Sequence, residues 1–335
     1  MKKMSKSTMI IVLILLVVVS SVTVWLLIKP SQGGEIPMEQ VVVATGKSAV
    51  LVYIAEDQGY FTENGLDVKI IDFPSGKQAV EAMLAGEADI ATASMSVLVS
   101  YALDGRALKT FAEIAQYRIK DLVARRDRGI TQISDLKGIR IGVTMGSAGE
   151  FALGRFLTLN GISSDDVELV DISAPEMVKA IDEGMIDAAL TWEPYTYHIV
   201  QALAENTISW PGDSDQDSSF ILLCTDGWLE AHPTVDERFL LALLQAETFV
   251  LENNQQAREF IEQQFAYDPA YWASVWPKYS FTVRLSQGLI LAMEDEARWR
   301  IEAGLTEARS VPNFLDFISI EALEKVHSEA ITMIR

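Results

Sequence analysis

Small polar residues cluster at the ends of four short apolar runs in this sequence. Their hydroxyl and backbone N–H groups are suited to binding the oxygen atoms of a sulfonate, nitrate, carboxylate or phosphate. Helices that begin in these loops would add the positive ends of their dipoles. The residues are Thr45, Lys47 and Ser48 after the first run, Ser75 and Gly76 after the second, Ser94 and Ser96 after the third, and Ser147, Ala148 and Gly149 after the fourth.

The serines in these loops have a second interpretation. A serine just before a helix commonly accepts a hydrogen bond from a backbone N–H of the first turn, as an N-cap. We favour ligand contact more for Ser94 and Ser147 than for Ser48 and Ser96. The sequence leaves both roles open.

An aromatic and acidic cluster follows another apolar run. Trp192, Glu193 and Tyr195 lie at its end. An aromatic ring there can pack on an apolar or cationic part of a ligand, and Glu193 can accept hydrogen bonds from an amine. Trp192 has the alternative role of filling an interface between two lobes.

The charges near these loops bear on the sign of the ligand. Glu150 and Glu193 would repel a simple inorganic anion, and Lys47 is the obvious cation in the loops. A zwitterion such as taurine, or an aminated pyrimidine, would satisfy both signs of charge. The residues do not choose between these two classes.

Motifs for catalysis or metal binding are absent from the sequence. The three histidines, His198, His232 and His327, form no His-Glu-x-x-His pattern, and neither a Gly-x-Ser-x-Gly elbow nor a P-loop occurs. Cys224 is the only cysteine, which rules out an internal disulfide and most cysteine-based metal sites. Absence of motifs does not by itself exclude catalysis, but the single cysteine and the apolar N-terminal segment argue against the enzymes known on related folds, so we expect no enzyme activity, no metal and no cofactor.

Two stretches of the chain resemble each other and indicate a domain-sized duplication. Thr144 lies 99 positions after Thr45, and Asp171 lies 99 positions after Asp72. The matched segments GEADIA and GMIDAA begin at Gly86 and Gly184, 98 positions apart. A single deletion between the two sets explains the change of offset.

Strands and helices alternate within each copy of the repeat. Each copy has an apolar strand-like run, a loop of small residues, a helix ending at Asn-Gly, a second strand, a second helix and a short third strand. This order predicts an α/β fold with two lobes, each a mainly parallel sheet flanked by helices, and ligands bound in the cleft where strands end. After residue 235 the pattern is mainly amphipathic helix, which we expect to pack on the first lobe.

The first 37 residues differ from the rest. Residues 9–28 form a nearly uninterrupted apolar run preceded by three lysines, so residues 1–28 are predicted to be a transmembrane anchor or, alternatively, a cleaved signal segment. Residues 29–37 are polar and rich in glycine and proline, which predicts a linker.

The formal charge of −20 argues against a nucleic-acid partner, because phosphates require clustered lysine and arginine.

Four motifs give the chain a family resemblance. They are AEDQGYFTENGLDVKIIDFPSG (residues 55–76), AMLAGEADIA (82–91), ISDLKGIRIGV (133–143) and DAALTWEPY (187–195). In this order and spacing they resemble the solute-binding proteins of ABC importers for nitrate, alkanesulfonates, taurine and thiamine-pyrimidine precursors. The resemblance covers about half of the chain by motif.

The resemblance implies a two-lobed periplasmic-binding-protein fold of the second type, whose chain crosses between lobes twice. We expect residues 38–127 and 225–335 to form lobe 1 and residues 128–224 to form lobe 2. The crossings would then fall near residues 125–130 and 224–228.

The resemblance also implies a function outside the cytoplasm. The protein would capture a small polar organic ligand, such as an aliphatic sulfonate, taurine or a nitrate-like anion, and deliver it to an ABC permease driven by its ATPase. A thiamine-pyrimidine precursor or similar aminated heterocycle is the alternative ligand. A membrane-tethered sensor, or an enzyme on the same fold, is the alternative of another class; the related pyrimidine enzymes carry a cysteine-rich motif that this sequence lacks.

Overall fold

The helices and strands are defined for residues 38–213 and 217–334 in a computed structural model. The predicted anchor or signal segment (1–28) and the linker (29–37) lie outside these described residues. Within the described residues, no helix combines the length and the apolarity needed to cross a bilayer.

Strands and helices alternate from the first described residues, as the repeat predicts. The first elements are β1 (Glu39–Thr45), α1 (Val50–Asp57), α2 (Tyr60–Glu63), β2 (Leu66–Asp72), α3 (Gly76–Leu84), β3 (Ile90–Ser94), α4 (Met95–Leu103), β4 (Lys109–Tyr117), β5 (Lys120–Arg125), β6 (Arg140–Val143), α5 (Ala148–Leu159), β7 (Glu168–Asp171), α6 (Ala174–Asp182), β8 (Ala188–Trp192) and α7 (Tyr195–Leu203). They are followed by β9 (Thr207–Pro211), β10 (Ser218–Cys224), α8 (Asp226–Ala231), α9 (Val235–Glu252), α10 (Asn254–Gln264), α11 (Pro269–Val275), β11 (Tyr279–Arg284), α12 (Gln287–Glu302) and α13 (Glu321–His327).

The strands form two sheets. The first has the order β11-β4-β10-β3-β1-β2 and the second has the order β7-β6-β8-β5-β9. The repeat strands pair in parallel, β1 with β2 and β3, and β6 with β7 and β8. The remaining neighbours pair antiparallel. Both sheets are therefore mixed, where the sequence predicted mainly parallel sheets, because strands from outside the repeat add to one edge of each parallel core.

Each sheet has its own buried core, so the described chain forms two lobes. Helices α1–α4 and α9–α13 bury apolar residues against the first sheet, and α8 packs two partly buried ones there, Trp228 and Leu229. Helices α5, α6 and α7 do so against the two faces of the second sheet. The later amphipathic helices thus pack on the first lobe as predicted, and β11 is an additional strand that the sequence did not predict.

The same local bonds occur in both copies of the repeat. The backbone N–H of Val42 donates to the carboxylate of Asp89 at 2.7 Å, and that of Arg140 donates to Asp187 at 3.1 Å. Arg140 lies 98 positions after Val42, and Asp187 lies 98 positions after Asp89. The predicted match of Thr45 with Thr144 is therefore off by one: Thr45 pairs with Asp72 across β1 and β2, and Val143 takes that place beside Asp171.

The chain crosses between the described sheets earlier than predicted. Strand β5 belongs to the second sheet and β10 to the first, so the crossings lie between residues 117 and 120 and between 211 and 218. The predicted boundaries at residues 127 and 224 therefore assign β5 to the first lobe and β10 to the second, the reverse of the observed sheets. The physical reason is that two residues alone separate β4 from β5, so the pair has the pattern of one long apolar strand.

Helix α5 of the second lobe packs on α12 of the first. Phe151 meets the ring of Trp299 edge-on, with ring centroids 5.4 Å apart. Gly154 lies under the same indole, because a Cβ built there would be 1.9 Å from Trp299 Cζ2. The missing side chain allows the two helices to approach closely.

We expect Gly154→Ala to destabilise the protein by about 1–3 kcal/mol, because the added methyl group must displace the Trp299 ring. Gly227→Ala on α8 is the matched control: no atom lies within 4 Å of its added Cβ, and alanine there should be neutral or stabilising by up to about 1 kcal/mol. Urea unfolding of both variants measures the difference. A Gly154 variant as stable as the parent would contradict this packing.

Candidate functional site

A cavity of about 400 Å³ lies between the two lobes. The loop after β1 contributes Gly46, Lys47 and Ser48 to its wall, and the loop after β6 contributes Thr144 and Ser147. The equivalent loops of the two repeat copies therefore face one crevice, as the duplication predicts. Its size suits a small organic molecule.

Most of the predicted binding residues line this cavity. Those that do are Lys47, Ser48, Ser75, Gly76, Ser94, Ser147, Ala148, Trp192, Glu193 and Tyr195. They come from both lobes, which makes the cavity a candidate site that closure of the lobes would complete.

Three of the four cavity serines are also helix N-caps, and Ser48 is not, because Ala49 holds the N-cap position of α1. Ser75 accepts a hydrogen bond from the N–H of Gln78 at 3.3 Å, Ser94 from Ser96 at 3.4 Å, and Ser147 from Gly149 at 3.1 Å. Capping fixes the hydroxyl groups and begins α3, α4 and α5 at the cavity wall, where their dipoles favour negative charge. The two roles left open by the sequence are compatible in this geometry.

Three predicted residues lie behind the cavity wall. Thr45 is fully buried, and its hydroxyl group lies 2.6 Å from that of Thr92. Ser96 is buried and donates to Glu296 at 2.7 Å. Gly149 is absent from the lining, and a Cβ built on it would be 3.6 Å from the Trp192 ring. Thr45 is the last residue of β1, and Ser96 and Gly149 lie in the first turns of α4 and α5, so all three side-chain positions pack inward.

Two cavity charges are already matched by partners. Lys120, at the first crossing, pairs with Asp213 at the second and donates to Ser218 Oγ at 2.6 Å. Glu193 lies 3.5 Å from Lys278 Nζ and accepts from the N–H of Tyr197 at 3.3 Å. Neither charge is therefore available in full to a ligand.

Two cavity lysines keep their charge uncompensated. Within the described residues, neither Lys47 nor Lys77 forms an ion pair. Lys47 Nζ lies 5.2 Å from the centroid of the Phe265 ring, a cation–π contact. Lys77 reaches across the cleft, because a Cβ built on Gly146 would be 3.8 Å from its Nζ. The cavity wall thus carries excess positive charge in a strongly acidic protein.

Aromatic residues form much of the wall, and the sequence analysis missed most of them. The missed rings are Phe73, Tyr117, Phe220, Tyr267, Tyr271, Trp272 and Tyr279. The available signal was the density of aromatic residues between positions 265 and 281. Burial raises the pKa of Tyr117 and of Tyr279, against hydrogen bonds from Ser94 and Ser48 that lower it. Both hydroxyl groups therefore stay protonated at neutral pH.

Histidine, cysteine and carboxylate side chains do not converge on one point within the described residues. The described residues contain no group of three or more His, Cys, Asp or Glu side chains placed to hold a metal ion. Cys224 is buried, and burial raises the pKa of its thiol. His198 lines the cavity, whereas His232 bonds to the Trp228 carbonyl oxygen through Nδ1 at 2.9 Å.

Comparison with known proteins places the chain in a family. The sequence model of the NMT1/THI5-like family matches residues 48–257, more than half of the chain. The chain belongs to the NMT1/THI5-like family.

Named relatives of this NMT1/THI5-like chain include binding proteins and an enzyme. A Brucella abortus protein named "Putative binding protein" is 27% identical over 244 residues, covering 71% of this chain and 74% of the relative. A Bacillus subtilis protein named "Putative aliphatic sulfonates-binding protein" is 25% identical over 236 residues, covering 68% and 70%. A 4-amino-5-hydroxymethyl-2-methylpyrimidine phosphate synthase of Saccharomyces cerevisiae is 23% identical over 230 residues, covering 63% and 66%.

Solved structures confirm the predicted fold of this NMT1/THI5-like chain. The alkanesulfonate-binding protein SsuA of Xanthomonas axonopodis pv. citri, bound to MOPS, aligns with a TM-score of 0.74 at 18% identity, over 85% of this chain and 99% of that one. A Candida albicans protein described as having the generic periplasmic binding protein fold aligns with a TM-score of 0.65 at 18% identity, over 89% and 98%. The two-lobed periplasmic-binding-protein fold is therefore shown.

A buried charge network joins the two lobes of this NMT1/THI5-like chain behind the cavity. Arg300 on α12 donates to Glu296 at 2.8 Å and to Glu150 on α5 at 3.3 Å. Glu150 also accepts from the backbone N–H of Gly146 at 2.9 Å, in a cavity loop. Both Glu150 and Glu193 are thus paired with cations, so the predicted repulsion of an anion by these carboxylates is largely cancelled.

We expect Arg300→Met to destabilise the protein by about 3–5 kcal/mol at pH 7, because two buried carboxylates lose their partner. Arg298→Met, two residues away with an exposed side chain, is the matched control and should cost less than about 0.5 kcal/mol. Urea unfolding at pH 7 measures both. Equal effects in the two variants would contradict a structural role for the network.

The penalty of Arg300→Met should also grow as pH rises from 5 to 8. Burial raises the pKa of Glu296 above its usual range, and the charge of Arg300 opposes that rise. A carboxyl with a raised folded pKa contributes stability at low pH and loses it as pH rises through that pKa. Removing Arg300 raises the pKa further, so the variant unfolds more easily at pH 8. A penalty independent of pH would contradict this account.

Proposed function

We propose that this protein is the extracytoplasmic solute-binding component of an ABC importer. The observation that carries the proposal is a cavity between two lobes, lined by matching loops of an internal repeat. In the proposed cycle the open form admits the ligand, contacts from both lobes favour closure, and the closed form docks on a permease coupled to an ATPase. Catalysis has no part in it.

The proposed location is outside the cytoplasmic membrane, with the chain tethered by residues 1–28 or released after their cleavage. The apolar run with preceding lysines supports this placement. An intact N-terminus in membrane fractions would support a tether, and a mature chain beginning near residue 22 would support secretion.

The proposed ligand is a small polar organic compound with a negative group, such as an aliphatic sulfonate or taurine, or else a nitrate-like anion. The uncompensated charges of Lys47 and Lys77 and the helix N-termini at the wall support a negative group. The aromatic lining and the volume of about 400 Å³ favour an organic body over a bare inorganic ion. The alkanesulfonate- and aliphatic sulfonate-binding names of similar proteins point the same way.

An aminated heterocycle, such as a thiamine-pyrimidine precursor, is the second candidate ligand. The aromatic rings of the cavity suit stacking on a flat heterocycle. The similar yeast pyrimidine phosphate synthase adds support. A protein that senses a ligand without transporting it is the alternative of another class. Genes for a permease and an ATPase next to the gene of this protein would favour transport over sensing. An enzyme on this fold is the remaining alternative.

We expect the correct ligand to raise the melting temperature and to compact the protein. Saturation at about 100 times the Kd adds about 2.7 kcal/mol to the free energy of unfolding. A thermal-shift panel of taurine, alkanesulfonates, nitrate, bicarbonate, riboflavin and aminopyrimidines, followed by small-angle scattering, tests this. No shift with any compound would count against the proposed ligand classes.

We expect Trp192→Ala to weaken binding of the panel compound with the largest shift by about tenfold or more, because the indole forms one wall of the cavity. Trp228→Ala is the matched control, since that indole stacks on His232 outside the cavity lining. Calorimetric titration gives the affinities, and circular dichroism verifies folding. An unchanged affinity in the Trp192 variant would show that the ligand does not bind against this indole.

A further inference from the structure

One wall of the cavity comes from a single stretch of the first lobe. Its four rings, here called the C-terminal aromatic wall, are Tyr267, Tyr271, Trp272 and Tyr279. They lie in the loop before α11, on α11 and at the start of β11. The whole stretch follows residue 257, where the match to the NMT1/THI5-like family model ends. The wall is thus a feature of this chain beyond the matched region.

The rings of the C-terminal aromatic wall support one another. Tyr267 lies 5.4 Å from Tyr271 and 5.0 Å from Trp272, and Trp272 lies 6.3 Å from Tyr279, measured between ring centroids. The indole N–H of Trp272 donates to the carbonyl oxygen of Arg258 at 3.0 Å. Tyr271 and Trp272 are almost fully buried and hold the half-buried Tyr267 and Tyr279 in place, so the wall is preformed, which lowers the entropy cost of binding.

Aromatic side chains of the second lobe lie on the same cavity. Trp192 and Tyr195 form an edge-on pair with centroids 6.2 Å apart, and both line the cavity. Tyr197 on α7 contacts Tyr271 across the lobes at 4.7 Å. A flat ligand entering the cleft would therefore meet ring surfaces from both lobes.

The positive charge lies beside these rings. Lys47 Nζ is 5.6 Å from the centroid of Tyr267, a member of the wall, and is held there by cation–π attraction. Lys77 reaches the loop that begins α5. Glu193, the cavity carboxylate, is matched by Lys278. A ligand that contacts Tyr267 can thus place an acidic group next to the ammonium group of Lys47, in the cavity that Lys77 also lines.

We propose that the cavity selects a planar ring that carries one acidic group, with the ring against the C-terminal aromatic wall and the acid beside Lys47 and Lys77. This inference rests on the proposed function and narrows its ligand class. A short aliphatic sulfonate or a nitrate ion would satisfy the lysines and leave the aromatic surface uncovered. A neutral ring would cover that surface and leave both charges unmatched.

The test compares matched ligands by calorimetric titration of the full-length chain. Benzenesulfonate has a ring and an acid, ethanesulfonate has the acid alone, and benzyl alcohol has the ring alone. We expect benzenesulfonate to bind about tenfold or more tightly than either of the others, since each partial ligand loses one set of contacts. Equal or tighter binding of ethanesulfonate would overturn the inference and leave the proposed function standing.

Variants of Tyr267 test whether the ring of the ligand binds against the C-terminal aromatic wall. We expect Tyr267→Leu to remove most of the preference for benzenesulfonate over ethanesulfonate, and Tyr267→Phe to retain it because the ring remains. Tyr101→Leu, outside the cavity lining, should change neither affinity. A preference that persists unchanged in Tyr267→Leu would overturn the assignment of the wall.

Two further outcomes are informative. Tighter binding of benzyl alcohol than of benzenesulfonate would overturn the inference that the cavity selects an acidic group. Failure of both sulfonates to bind the folded chain would contradict this inference and also the proposed organic-anion function.

Discussion

A guanidinium group that is almost completely removed from water bridges the two lobes. Arg300 is 4% exposed, Glu296 is fully buried and Glu150 is 8% exposed, so the three charges depend on one another for compensation. Separating them in a low-dielectric interior would leave an uncompensated charge, which is strongly unfavourable. Any opening of the cleft must therefore leave α5 and α12 together. Because Glu150 also binds the N–H of Gly146, the lobe contact and a cavity loop share one carboxylate.

The charge balance of the cavity follows from pairings that span the chain. The protein carries a formal charge of −20, yet the carboxylate at its cavity wall is compensated by Lys278, and the buried Lys120 by Asp213. What remains uncompensated at the wall is positive, on Lys47 and Lys77. An anion can thus be favoured locally by a protein whose overall field is negative, since screening limits the reach of the distant charges.

The sequence predicted the repeat lobes well because their signals are local. The alternation of apolar runs with Asn-Gly helix ends placed β1, β6 and the loops after them, and those loops do meet at one cavity. Gly65 and Gly161 close these helix ends with φ near +70°, a conformation that glycine adopts without strain. The first crossing was misplaced since Arg118 and Ile119 are a link too short to break the strand pattern.

The parts of the site that escaped prediction depend on contacts between distant residues. Glu150 and Glu193 were interpreted as repulsive because a sequence displays charges without their partners, here Arg300 and Lys278. The aromatic residues after position 265 were visible in composition, but their place on the cavity follows from the packing of α11 and β11 on the first lobe. Long-range packing of this kind leaves no periodic trace in the chain.

The C-terminal aromatic wall lies on a different stretch of chain from the crossings and from the repeat loops. Substitutions of Tyr267 need not disturb the Lys120–Asp213 pair at the crossings or the capped helices at the wall, whereas Tyr279 packs on Tyr117, whose ring lies beside Lys120. The aromatic wall and the two links between the lobes thus belong to separate segments of the sequence, although Tyr271 contacts Tyr197 of the second lobe. A change of ring size or polarity within that one short stretch can therefore reshape the cavity while the loops of the repeat keep their sequence.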